Sequence, residues 1–208
     1  VGREIDHETR IQRIDYNATD YHIDDSSRLS ACRLPANGTP FVHWLDVDGI
    51  HESKVIAAIG QQFQLHPLLL EDVVNTEQKP KVDFYETTQP SAPSVAFVTL
   101  KMLHHDTGKG EIDAEHVSFV LGQHFLISFQ EERTGDIFAP VLERIKASSG
   151  KTRRNGPDYL LYALMDLLVD HYFVVLERIG DKMDELEEHL VGGQAGQLTL
   201  NTLYLMKR

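Results

Sequence analysis

The sequence predicts an α/β fold, and three observations predict it. Three consecutive runs rich in Val and Phe (Ser94–Leu103, Ile112–Leu121 and His124–Glu131) are separated only by short turn-forming stretches, the pattern of an antiparallel meander. Ahead of them, Val55, Ile56, Ile59 and Phe63 recur at the spacing of one helix face. Behind them, a segment opening with Pro157-Asp158 keeps apolar residues at intervals of three and four as far as Leu190.

Taken in chain order, Thr9–Tyr16 reads as a short strand, and Asn17–Leu29 as a polar turn or the start of a helix. The Pro35–Pro40 stretch is a loop. Phe41–Gly49 alternates apolar with polar and ends on Asp-Gly, a strand running into a turn. The helix of His51–Leu65 follows. Pro67 then opens a short second helix from its first position, and Asn75 and Pro80 close it. After the meander, Asp136 is placed to cap a helix over Ile137–Ala147. Ser148–Gly156 is a linker, in which Arg153-Arg154 is expected to be exposed or to touch an acidic surface. The long helix then runs to about Leu190, Gly192–Gln197 breaks it, and a second helix begins near Leu198. The expected division is residues 1–155 for the α/β part and 156–208 for the long helix and a truncated second one.

Composition narrows the partners. With 32 acids against 20 Lys and Arg, the net charge of −12 argues against nucleic acid, which needs a basic footprint. Attraction to cations is compatible with it. The single Cys32 rules out an internal disulfide and fits a reducing compartment. No signal-peptide pattern is visible at Val1–Glu4. The most apolar stretch, Leu160–Val175, is interrupted by Asp166, Asp170 and His171 and falls short of the ~20 apolar residues of a membrane span. A start without Met and a helical pattern that simply stops at Arg208 suggest a piece of a longer protein.

Two acidic features stand out. On the long helix Asp166, Asp170, Glu177, Asp181, Asp184 and Glu188 share one face, opposite the apolar seam of Leu161, Met165, Leu168, Tyr172, Val175, Ile179, Met183, Leu186 and Leu190. A solvated face usually mixes signs. Here like charges stack at i, i+4, which costs stability unless a cation or a basic partner compensates. The second feature is Glu71-Asp72, near the C-terminus of a short helix, where negative charge is disfavoured. A solvent-facing pair is the plain explanation. A hard cation such as magnesium, which keeps several waters and touches one or two carboxylates, is the functional one.

Other motifs carry less. Ser148–Thr152 (SSGKT) looks like a phosphate loop, but the pattern needs Gly at Ile145 and a preceding strand. His104-His105 lacks the convergent partners of a zinc site, and His51 and His116 carry even less signal. No Ser/His/Asp or Cys/His spacing suggests a nucleophile.

Trp44–Glu86, with its LEDVVN and QKPKVDFYE pieces, resembles the CorA-type magnesium and cobalt transporters, specifically their large cytoplasmic N-terminal domain. The resemblance continues through VTLKML at Val98–Leu103, through Glu115–Ile145 and through Asp158–Leu190, so it covers roughly Phe41–Leu190. It implies an α/β/α sandwich with a mixed, partly antiparallel sheet followed by long C-terminal helices. It also implies a homopentamer, a membrane region absent from this chain, and no enzymatic activity. In such transporters divalent ions lodge between neighbouring cytoplasmic domains and hold the channel closed. The motif carries that role to Asp72 as main ligand, with Glu71 beside it and Asp166 on the long helix. Asp170, on the same acidic face, joins the candidate set. The implied ion is Mg2+, with Co2+ or other divalent cations as further possibilities. The opposing aspartate would come from a neighbour's helix beyond Arg208. Glu77 stands where some relatives place a His. The zinc-transporting branch of the superfamily is the nearer alternative, and a soluble metal-dependent hydrolase with Glu71 as base is the more distant one.

Overall fold

A computed structural model describes residues 8–25, 41–86, 94–106, 111–131, 137–148 and 150–191. Seven strands appear among them: β1 (Arg10–Tyr16), β2 (Tyr21–Asp24), β3 (Val42–Asp48), β4 (Lys81–Tyr85), β5 (Val95–Asp106), β6 (Glu111–Leu121) and β7 (Phe125–Gln130). Four α-helices join them: α1 (Ser53–Phe63), α2 (Pro67–Val74), α3 (Ala139–Lys146) and α4 (Pro157–Val191). The strands form one sheet in the order β2-β1-β3-β7-β6-β5-β4. The expected meander is its heart, with β6 antiparallel to both β5 and β7. The β3–β7 pair is parallel, which makes the sheet mixed.

Alternation along the strands sends apolar residues to both faces, so both faces must be covered. On one side Trp44, Val98, Met102, Val117, Phe119 and Leu126 pack against α3 and the first half of α4. On the other, Leu45, Val47, Phe97, Val120, Ile127 and Phe129 pack against α1 and α2. This is the expected α/β/α sandwich. Burying each such side chain contributes on the order of 1.5–3 kcal/mol.

Sequence reading missed two edge strands. Asn17–Asp20 is a tight turn, its Asn17 carboxamide accepting from the backbone of Thr19 and Asp20 at 2.9 and 2.7 Å. That turn folds β2 back onto β1 rather than starting a helix. Lys81–Tyr85, taken only as a break after the second helix, is edge strand β4, antiparallel to β5. Helix α3 begins at Ala139 with Phe138 as its N-cap, and Asp136 lies outside the described residues. So do the Pro35–Pro40 loop, the Gly192–Gln197 break and the helix expected near Leu198.

Arg153 also differs from expectation. It is buried in a 3-10 turn, its Nε donating to the Asn17 carbonyl at 2.9 Å and its guanidinium lying 5.6 Å from the Tyr21 ring centre. The β1–β2 hairpin supplies a carbonyl and an aromatic face that no local pattern announces.

Helix α4 is continuous over 35 residues, as its spacing predicts. Its seam is used unevenly: Leu161 and Leu168 are buried in the core against the sheet and Val175 is buried as well, whereas Met183 is exposed. The other faces are less purely acidic than the spacing of the acids implies, because Tyr162, Val169, Phe173 and Leu176 are exposed there as well. By length and composition alone this helix is apolar enough to cross a membrane, with 33% of its most apolar 18-residue window buried in the fold.

Candidate metal site at the end of the second helix

Helix α2 starts where His66 caps it, the imidazole accepting from Leu68 N at 3.2 Å, with Pro67 in the first turn. Its spacing buries Leu69 and Val73 and turns Glu71 outward. Leu70 lies against Gly60 of α1 so closely that an added Cβ would stand 2.3 Å from its Cδ1. That close crossing fixes α2 and places Asp72 at its last turn. Asn75 ends the helix, donating its N–H to the Asp72 carbonyl at 3.3 Å.

The Asp72 side chain is half-buried, and its carboxylate accepts three hydrogen bonds. Gln78 donates to Oδ1; Lys81 (2.8 Å) and Tyr85 donate to Oδ2. Strand alternation explains two of these donors. Lys81, Asp83 and Tyr85 share one face of β4, turned toward α2, while Val82 and Phe84 face the other way and stay exposed. The Lys81 ammonium also reaches Asp83 at 2.8 Å. The Tyr85 ring stacks near His66 and meets Phe97 edge-on, which locks its hydroxyl in place. The Lys101 ammonium ties the Thr76 carbonyl, holding the loop between α2 and β4.

Burial pulls the Asp72 carboxyl up, but the hydrogen bonds from Lys81, Tyr85 and Gln78 and the lysine charge outweigh it. The group titrates below the ordinary carboxylate value. Lys81 is shifted up by its bonds to Asp72 and Asp83. Burial and the bond to Asp72 push the Tyr85 phenol up to about 12. Behind them His116 is fully buried, Nδ1 3.4 Å from the Thr99 hydroxyl, and burial with the nearby Lys101 charge lowers its pKa to about 4.

The other expected ligands lie elsewhere. Asp166 and Asp170 are exposed, one turn apart on α4, in the layer opposite α2. Glu71 and Glu77 are exposed. Among the described residues no three His, Cys, Asp or Glu side chains converge as a metal cage. A carboxylate offers about four lone-pair positions, and the described residues take three at Asp72, leaving one on Oδ1. One open position on a carboxylate fits an ion held through its water, as magnesium prefers, rather than a cage built by the described residues. His104 is committed to Glu115 at 2.9 Å rather than to a cluster.

Residues 42–208 match the family described as CorA-like Mg2+ transporter protein. The chain belongs to that family. CorA-like proteins are transporters, not enzymes. The cobalt/magnesium transport protein CorA of Thermotoga maritima is 42% identical over 158 residues, 76% of this chain and 43% of that protein. The chain thus spans less than half the length of the curated relatives it matches. The fold is that of the soluble domain of CorA from Methanocaldococcus jannaschii, with a TM-score of 0.68 and 13% identity over 93% of this chain and 69% of that one. It is also that of the full-length CmaX protein, with a TM-score of 0.69 and 17% identity over 97% and 58%.

Sequence reasoning found the acid and missed its partners. Gln78, Lys81 and Tyr85 were hidden by reading Lys79-Pro80-Lys81 as a break. The period-two run Lys81-Asp83-Tyr85 against Val82-Phe84 was the signal that could have exposed them.

Proposed function

We propose that this chain is the cytoplasmic metal-sensing part of a divalent-cation transporter, residues 1–155 forming its sandwich and 156–208 the root of its helical arm. In the whole protein, anchored in a membrane and assembled as a homopentamer, Mg2+ or Co2+ is the transported substrate. The same ion, lodged between neighbouring domains, reports that enough has entered. Asp72 is the principal acid on this side of the interface, with Glu71 beside it. Asp166 and Asp170, in the opposite layer, are the acids α4 offers to an ion or its waters held by a neighbouring subunit. Membership of the CorA-like family supports the transport class. The single observation that carries the sensing role is Asp72: a fixed, ionised, half-buried carboxylate with one lone pair that no described residue takes.

The physics of gating follows from that charge. If an acid of a neighbouring subunit faces Asp72, a cation between them joins the subunits. Its loss leaves two carboxylates facing each other; bare charges at ~4 Å with an effective dielectric of ~20 would repel by about 4 kcal/mol, a ceiling that salt screening and the Lys81 ammonium beside Asp72 lower. Distributed over equivalent interfaces, a fraction of this moves a closed-to-open equilibrium, because the ion binds only the closed arrangement well.

Titration of the 208-residue chain with Mg2+, Co2+ and Zn2+, followed by calorimetry and thermal unfolding, tests the ligand class. The expected result is weak, oxygen-type binding, with stabilisation only when the ion far exceeds its dissociation constant. A tight, stoichiometric zinc site that disappears in His104→Ala would refute it.

A further inference from the structure

The geometry points to Lys81 as a built-in competitor for the cation at Asp72, one that sets how much divalent ion the site needs. This rests on the metal-site reading above and concerns its threshold rather than its existence. The Lys81 ammonium lies 2.8 Å from Asp72 Oδ2, where it already supplies the positive charge that the end of α2 lacks. It is not a loose surface lysine. Its stem rises from an edge strand, its Nζ sits 5.8 Å from the centre of the Phe97 ring, and its side chain is only 31% exposed. A divalent ion approaching Asp72 therefore meets a fixed cation within a few ångströms.

Asp83 makes the competition reversible. It holds the same ammonium at 2.8 Å, two residues along the same strand face, so Lys81 has a second carboxylate to retire to when an ion takes Asp72. The exchange conserves pairing: before it one lysine serves two acids, and after it Lys81 serves Asp83 while the ion serves Asp72. Gln78 and Tyr85 are neutral donors and can stay on the carboxylate throughout, keeping it aimed. Lys81 is thus an affinity-setting residue rather than a ligand. The Lys-Pro-Lys stretch that follows the paired acids acquires a reason: Pro80 ends the loop and delivers Lys81 to Asp72 at the first position of β4.

The test is calorimetric titration of the 208-residue chain with Mg2+ for wild type, Lys81→Met, Lys81→Arg and Asp72→Asn, alone and combined. Lys81→Met keeps the stem and removes the charge, and should bind Mg2+ at least about fivefold tighter. Lys81→Arg should show no such gain, and Lys81→Met in an Asp72→Asn background should lose it. In wild type, the Lys81 ζ-ammonium resonance should shift as Mg2+ saturates, a readout that needs no variant to fold. Lys81→Met that is folded yet binds no tighter overturns the inference, as does a Lys81 resonance unmoved at saturation. If Asp72→Asn weakens binding while Lys81→Met fails to strengthen it, only the competitor role falls. If Asp72→Asn changes nothing, the metal-site reading falls with it.

Discussion

Acidification from pH 7 to pH 4 protonates His116 in the unfolded chain long before it does so in the folded one. In the fold the ring is fully buried beneath the end of α2, and burial with the charge of Lys101 on β5 lowers its pKa from 6.5 to about 4. The backbone of Val73 and the carboxylates of Asp72 on α2 and Glu115 on β6 oppose that shift and lose. Because the unfolded chain takes the proton first, stability falls as pH drops below 6.5 and the loss levels off near 4. At 1.36 kcal/mol per pH unit the total is roughly 3 kcal/mol, a large part of the usual 5–15 kcal/mol of a domain. Asp15 and Asp72, held below their ordinary values, lose their contribution only at still lower pH, so the two phases separate. Urea unfolding at pH 7, 6, 5 and 4.5 should show a midpoint falling by on the order of 1–2 M across the series. His116→Leu, whatever its own stability, should show a clearly shallower slope from pH 7 to 5. An equal slope in wild type and His116→Leu would refute the reasoning.

Removing the Asp72 donors should be visible at the carboxylate itself. Tyr85→Phe or Lys81→Met should raise its titration midpoint in a carboxyl-carbon NMR titration, bringing the loss of its stabilisation to higher pH. Gly122→Ala should cost about 1–3 kcal/mol in chemical unfolding, because the new Cβ would lie 2.2 Å from the Phe125 ring and drive it off Phe63, 4.9 Å away. Asn17→Ala should cost roughly 0.5–1.5 kcal/mol and increase amide exchange in β2, since the side chain caps two backbone N–H groups of the hairpin turn. Trp44→Phe removes the indole donor to Ser128 Oγ at 2.9 Å inside the core and should cost about 2–3 kcal/mol, read by thermal unfolding.

Long periodic segments were legible in the sequence. The meander and α4 declare themselves because their apolar residues repeat over ten or more positions. Short edge strands did not. Four residues of β2 and five of β4 carry too few alternations to register, and their identity as strands comes from pairing with β1 and β5. Asp72 was legible as an acid in a place that needs a cation, and the resemblance supplied divalent ions. The cation the chain itself provides, Lys81, was not legible, because its arrival depends on β4 crossing behind the end of α2. Arg153 failed for the same reason: its partners, Asn17 and Tyr21, lie more than a hundred residues away in the chain.

The central claim is that Asp72 couples divalent-ion occupancy to transport, and its most direct measurement is ion flux through the full-length protein against Mg2+ on the side of this domain. Asp72→Asn is the variant to use, because Asp72→Lys would set two ammonium groups against each other at Lys81. Wild-type flux should fall as Mg2+ rises, and Asp72→Asn should carry ions with little dependence on Mg2+ over the same range. Flux through Asp72→Asn that falls with Mg2+ as steeply as in wild type would contradict the account.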